Sequence, residues 1–421
     1  MARYAKDNRP HLKPVEKIQL SGENTLLRAV VAALFLLIGA GALAYAFMHA
    51  LTPESGWQTI QTDTTDGATC GDDFTFLYEL GAGDRSVAAE SRGLTRLYTQ
   101  ACRTAYRLFH TDESFEGVVN LKEINGRPNQ VLEVDEVLYQ AFETIREAGD
   151  RTVYLGPVYT RYDDLFDCQD DSQLVDFDPR LSRAVAEEYA AVAAYAGDPG
   201  HIDVELLGEN RIRLRVSEEY LAYAEREGIE RFLDFGWLKN ALIADYLADT
   251  LVEAGYTHGC ISSFDGFARC LDDRETGYGL NLLEQREGVP VQVGTMEYRG
   301  PMSLASLYTF PAGEGDKRRF YRLRSGETRT LYLDPADGLC RGAADSMVFY
   351  SRALSCGQLA VEAAPVFIAD VLDVSAAQAL TSEGMQWILC RDGRIAATDA
   401  ELTVTNLREG YMVVDIHRWS S

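Results

Sequence analysis

Leu233-Asp234-Phe235-Gly236-Trp237-Leu238-Lys239-Asn240-Ala241-Leu242-Ile243-Ala244-Asp245 is the stretch whose reading decides the fold. It continues through Glu253-Ala254-Gly255 to Cys260-Ile261-Ser262-Ser263-Phe264-Asp265-Gly266. Ile243, Leu247 and Leu251 repeat at helical spacing with Ala244 and Ala248 beside them, and Gly255 suits the position just past a helix end. The stretch reads as a tight turn, a buried helix and a strand.

Working outward, several segments carry one period or the other. Phe74–Leu80 alternates as a strand, and Ser86–Leu108 and Val134–Gly149 carry helical stripes. Arg180–Ala196 is helical within an acidic region. Ile202–Val216 reads as a hairpin turning at Gly208-Glu209-Asn210, and Ser217 followed by two acids opens a helix to about Glu227. Tyr278–Leu283, Val291–Gly294 and Ser346–Ser351 read as strands, Cys356–Ala364 as a helix, and Trp387–Ile395 as a closing hairpin. Tyr159, Tyr162 and Phe166 among Asp163, Asp164 and Asp167 read as a solvated loop, with cation or carbohydrate contact as the alternative. The fold class is α+β, mixed sheets with packed helices.

The charge excludes one class of partner. The whole chain carries −25 and its first 28 residues +3, which leaves −28 on the rest. So acidic a body has no basic face for nucleic acid. Ala29–Met48 is a run of 20 uncharged residues, about 30 Å as a helix, which matches the hydrocarbon core of a bilayer. It is longer than the apolar region of a cleaved signal peptide. The cationic flank places the N-terminus in the cytoplasm and the main body outside. The expected organisation is a cytoplasmic tail (1–28), a transmembrane helix (29–52), a linker (53–72), the ectodomain (73–398) and a C-terminal extension (399–421). Eight cysteines, all after the apolar run, fit disulfides in an exported segment, with buried thiols as the alternative. Connectivity is open, although Cys260 and Cys270 could cross-link a hairpin.

Taken together, these segments resemble the flavin transferase family (FAD:protein FMN transferases, ApbE-like). The opening stretch is similar to that family's D-L-G-G-I-A-K-G-x-A-A-D turn and helix. Ile124-Asn125 match the end of S-E-I-x-x-I-N, with Phe115 near an aromatic position. Gly149-Asp150-Arg151-Thr152-Val153-Tyr154-Leu155-Gly156-Pro157 stands at G-x-F-D-x-T-V-G-P, and Asp334-Pro335 with Gly338 at H-I-I-D-P-x-T-G. The order of these matches spans residues 74–398.

The resemblance implies transfer of FMN from FAD to a protein Ser or Thr, with Mg²⁺ easing attack on the pyrophosphate. By position it implies a flavin-binding set of Phe115, Asp150, Arg151, Thr152, Gly156, Pro157, Asp234, Gly236, Asn240, Asp265 and Gly266. A backbone carbonyl near Trp237 would face the metal. The family's metal-binding Asp and Thr are Gly357 and Val361 here, and its histidine is Leu331, none of which can ligate or act as a base. No catalytic residue is therefore assigned. The expected function is that of a membrane-anchored relative with a degraded metal and catalytic site, whose partners are flavin, an acceptor protein and the membrane. The alternative is a non-catalytic flavin-binding or surface scaffold protein of the same fold. Serine-hydrolase chemistry has no G-x-S-x-G to support it, and His258 reads as an ordinary residue before a strand.

Overall fold

A computed structural model describes residues 25–51, 53–63, 68–313 and 319–416, and the chain divides into residues 1–54 and 55–421. In the first unit, α1 (Thr25–Leu51) is one helix of 27 residues, with Leu34, Phe35, Leu36, Leu37 and Ile38 exposed. Among the described residues no helix is long and apolar enough to cross a membrane. Residues 1–24 of the expected cytoplasmic tail, and the side chains of 44–50 in the expected span, lie outside the described residues.

The second unit begins with β1 (Gly56–Ile60), β2 (Phe74–Leu80), α2 (Val87–Leu108) and α3 (Leu121–Asn125). Next come β3 (Val131–Glu133), α4 (Glu136–Ala148), α5 (Gly156–Phe166) and α6 (Arg183–Gly197). A hairpin of β4 (Ile202–Leu206) and β5 (Arg211–Val216) leads to α7 (Glu218–Glu227) and α8 (Lys239–Glu253). The strands β6 (Gly259–Ser263), β7 (Phe267–Cys270), β8 (Gly277–Arg286), β9 (Val289–Arg299) and β10 (Met302–Tyr308) follow. Two short strands, β11 (Tyr321–Arg322) and β12 (Thr328–Arg329), precede β13 (Ser346–Ser351), α9 (Cys356–Phe367) and α10 (Val374–Ala379). The described chain closes with β14 (Gln386–Arg391), β15 (Arg394–Ala397), β16 (Thr403–Thr405) and β17 (Met412–Asp415).

Nine strands form the central sheet in the order β1-β2-β6-β7-β10-β13-β14-β15-β17. Its pairs are antiparallel except β15–β17. Every residue of β10 and β13 is buried, because layers cover both faces of the sheet there. Ala305, Leu307, Met347 and Phe349 face the helical core with Ile243 and Leu359. The alternate residues Leu304, Val348, Ile388 and Ile395 join Leu282, Val293 and Met296 of the β8–β9 hairpin. This period of two puts α8 and α9 on one face and the three-stranded sheet β16-β9-β8 on the other. Another three-stranded sheet, β3-β5-β4, is not hydrogen-bonded to either but joins the same helical core through Leu132, Ile202, Ile212 and Leu214.

Most expected elements are present. The apolar stripe Ile243, Leu247 and Leu251 is fully buried, and Gly255 has φ +77° just past the end of α8. The hairpin turn at Gly208, Glu209 and Asn210 has positive φ at all three residues. Ser217 caps α7 through the Tyr220 amide, and Ser355 with Gln358 forms a reciprocal cap on α9.

One expectation is corrected. Tyr159, Tyr162 and Phe166 lie on the helix α5 rather than in a solvated loop, and Tyr159 and Tyr162 are buried. Pro157 in the first turn starts that helix, since its missing N–H would be unpaired there in any case. The expected linker contributes β1, and the expected C-terminal extension contributes β16 against β9 and β17 against β15. All eight cysteines are free thiols in this structure.

Candidate functional site

The turn before α8 is set by short-range chemistry. Asp234 accepts from the Gly236 amide at 2.7 Å, and its own N–H donates to the Val153 carbonyl at 3.0 Å. Gly236 has φ +50°, and a Cβ there would stand 2.3 Å from the Tyr159 ring. Only glycine meets both conditions. Gly156 meets a similar limit, because an added Cβ would lie 2.6 Å from the Arg231 carbonyl. The corner glycines thus let the segments 153–159 and 231–236 pack closely against each other.

A cleft of about 220 Å³ opens beside this turn. Phe109, Tyr159, Phe166 and Leu331 supply apolar walls; Asp112, Asp163, Asp234, Arg231, Lys239 and Arg319 supply charge. Arg231 sits centrally, donating to Asp112, to Asp163 at 3.2 Å and to Asp234 at 3.1 Å. Burial, then the nearby Asp234 carboxylate, lifts the Asp163 carboxyl to about 6 against the pull of Arg231. Asp112 loses favourable hydration through burial, yet the Arg231 guanidinium holds its carboxyl below the usual range. Lys239 makes no ion pair among the described residues and stands at the N-terminal end of α8.

Behind Leu331 and Arg319 lies a second, nearly filled pocket lined also by Trp237 and Asp265. Asp265 accepts from Arg319 and from Asn240, the latter at 3.1 Å. Asn240 Oδ1, Asp265 Oδ1 and Trp237 Nε1 are buried without hydrogen-bond partners among the described residues. An unpaired buried polar atom costs about 1–3 kcal/mol, so three around one pocket mark a place where the fold leaves bonding capacity open.

The structure sets Asp234 and Gly236 on the cleft and Trp237 and Asp265 on the second pocket, with Asn240 bonded to Asp265, Gly266 next to it in the chain, and Gly156 and Pro157 at the start of α5. It does not bring the other expected residues to the cleft. Phe115 packs against Tyr106 and His110. Arg151 donates to the Ala196 and Ile202 carbonyls and to Asp203, tying α6 to β4. Asp150 accepts from Thr152 Oγ1 at 2.7 Å, and burial raises its carboxyl to about 6.

Sequence reading missed Arg231, Asp112 and Arg319. Arg231 carried a signal, being three residues ahead of Asp234. Arg319 carried none, since it meets Asp265 only through the tertiary fold.

The residues present do not fit Mg²⁺. Asp245 accepts from the Cys356 amide at 2.8 Å and the Gly357 amide at 2.7 Å, and pairs with Arg269. The start of α9 is therefore already neutralised by a protein carboxylate and closed by a guanidinium. A Cβ on Gly357 would stand 2.8 Å from Leu242 Cδ2, and Val361 is buried. Among the described residues no group of three or more His, Cys, Asp or Glu is placed to hold a metal ion. A separate cavity of about 1010 Å³ lies on the opposite side of the sheet between β9 and the end of β13 and is lined by none of the expected residues.

No protein-family model matches the chain, and no curated protein matches it by sequence. Solved structures do match. The ApbE protein of Thermotoga maritima MSB8 has 12% sequence identity and a TM-score of 0.51, with 79% of this chain and 93% of that chain covered. The flavin transferase ApbE from Vibrio cholerae, in a histidine-to-glycine mutant, has 13% identity and a TM-score of 0.48 over the same shares. The fold expected from the opening stretch is thus found, and the chain is a divergent example of the ApbE-like fold.

Proposed function

We propose that this chain is a membrane-anchored, extracytoplasmic flavin-binding protein that holds its ligand in the Asp234–Lys239 cleft without a divalent metal. The observation that carries the reading is the cleft itself. Apolar and aromatic walls suit a flat ring, and Lys239 and Arg319 at one rim suit phosphate. Its volume is below the usual range for ligand sites, so the cleft would hold part of the ring system rather than a whole dinucleotide. Asp245 and Arg269 neutralise the start of α9, and Gly357 and Val361 have no ligating side chain there, which argues against metal-dependent FMN transfer. Anchoring rests on the sequence alone, the 20 uncharged residues 29–48 and the basic flank before them.

The test is a titration of FAD and FMN into the detergent-solubilised full chain, followed by flavin fluorescence. Saturable quenching that survives EDTA is expected. Absence of quenching would leave the scaffold reading. Covalent transfer of FMN to an acceptor protein only when Mg²⁺ is added would sink the metal-free reading.

A further inference from the structure

We propose that Cys70–Cys102 and Cys260–Cys270 are two disulfide pairs, closed as the chain folds outside the cytoplasm. The location rests on the exported reading above, whereas the pairing stands on geometry.

Cys70 donates from Sγ to the Cys102 carbonyl at 3.4 Å and from its backbone N–H to the same oxygen at 3.5 Å. A hydrogen bond with the Cys102 thiol is also the first cause that raises the Cys70 thiol well above its ordinary range, so the two side chains meet, and both are buried. One lies just before β2 and the other on α2, so a bond between them would fasten the entry to the central sheet onto its covering helix.

The second pair is fixed by register. Cys260 on β6 is directly opposite Cys270 on β7. The Leu271 amide donates to the Gly259 carbonyl at 2.9 Å, which makes Gly259 and Leu271 a hydrogen-bonded pair. Pairs alternate along an antiparallel ladder, so Cys260 and Cys270 form the non-hydrogen-bonded pair. Its Cα separation, about 4.5 Å, falls within the reach of a disulfide. Cys270 is in the core beneath Tyr298 and Met302 and the partly buried Cys260 packs against it, its reduced thiol donating to the neighbouring Ile261 carbonyl at 3.8 Å, a weak bond that a disulfide would replace.

The remaining cysteines lack such a partner. Cys356 Sγ donates to the Ala268 carbonyl at 3.2 Å and Cys168 Sγ to the Asp164 carbonyl at 3.6 Å. Cys340 and Cys390 belong to separate hydrophobic clusters on opposite faces of the sheet.

In each pair the two thiols surrender two protons and two electrons to an incoming disulfide, either oxidised glutathione or a thiol–disulfide oxidoreductase. The donor's sulfur–sulfur bond breaks, a new one forms between the cysteines, and the donor leaves as two thiols. Burial pushes the Cys260 thiol up to about 12 and that of Cys270 to about 11. Thiolate is scarce once the sheet has closed, which places the reaction during folding.

The experiment maps cysteines in the detergent-solubilised full chain after incubation with a glutathione redox buffer and protein disulfide isomerase. Remaining thiols are alkylated under denaturing conditions, and the digest is read by mass spectrometry. Linked peptides joining Cys70 to Cys102 and Cys260 to Cys270 are expected, with alkylation at Cys168, Cys340, Cys356 and Cys390. Cys70→Ser should expose Cys102 to alkylation and leave the Cys260–Cys270 link intact. Full alkylation of Cys70, Cys102, Cys260 and Cys270, or links from them to other cysteines, would overturn the pairing. The same map on chain exported by a host cell separates the two claims: links formed in vitro yet missing there would uphold the pairing and refute the location.

Discussion

Two stations along α8 carry opposite chemistry. At its first turn, Lys239 makes no ion pair among the described residues, and Asn240 and Asp265 each keep a buried oxygen unpaired. Less than two turns further on, every oxygen of Asp245 is engaged, by two amides of α9 and by Arg269. One helix thus presents open bonding capacity at one end of the site and a fully satisfied network at the other. Open capacity is what a ligand can use; a closed network is structural. Under the proposed function, the open station is where a flavin would bind and the closed one is structural.

The comparison breaks first at the closed station. Asp245→Ala leaves the Cys356 and Gly357 amides at the start of α9 without their carboxylate and Arg269 with only the exposed Asp249. Loss of about 3 kcal/mol is expected from the weakened pairing of a partly buried guanidinium and the two lost amide bonds, measured by chemical unfolding. A variant of unchanged stability would show that the network is not structural.

Gly236→Ala tests the open station's backbone. The strained φ and the approach of Tyr159 together should cost about 2–3 kcal/mol and weaken flavin binding along with stability. A smaller effect follows from pH. The Asp150 carboxyl titrates near 6 in the folded chain and near 3.9 when unfolded. Its contribution is therefore fully present below about pH 3.9 and lost as pH rises through about 6. Wild type should gain on the order of 1–2 kcal/mol from this group between pH 7 and 5, and Asp150→Asn should flatten that part of the profile. Parallel profiles would contradict the assignment.

Much of this contrast was legible in the sequence, for physical reasons that differ by residue. Ile243, Leu247 and Leu251 announce a helix because one buried face imposes a period of 3.6. Ser217 and Gly255 mark ends because caps are local. β10 and β13 were harder to delimit, since burial on both faces erases the alternation that marks a half-buried strand. The cleft was only half visible. Asp234 and Gly236 are held by contacts within three residues or by corner glycines, whereas Arg319 reaches Asp265 across 54 positions. Arg151 shows the converse: its place in a binding motif said nothing of the carbonyls of Ala196 and Ile202 that claim its guanidinium.

At the rim of the cleft the effect should be smaller still. Lys239→Ala alone should weaken flavin phosphate binding by about tenfold, or 1.4 kcal/mol, with little change in unfolding. An unaltered affinity would move the phosphate away from the start of α8.

The most direct test of the account is FAD titration of the full chain in EDTA, run in parallel with Arg319→Ala. The account expects saturable quenching of flavin fluorescence in wild type that added Mg²⁺ does not change, and a clear loss of affinity in the variant. Binding that appears only with Mg²⁺, or that is equal in the two proteins, would contradict it.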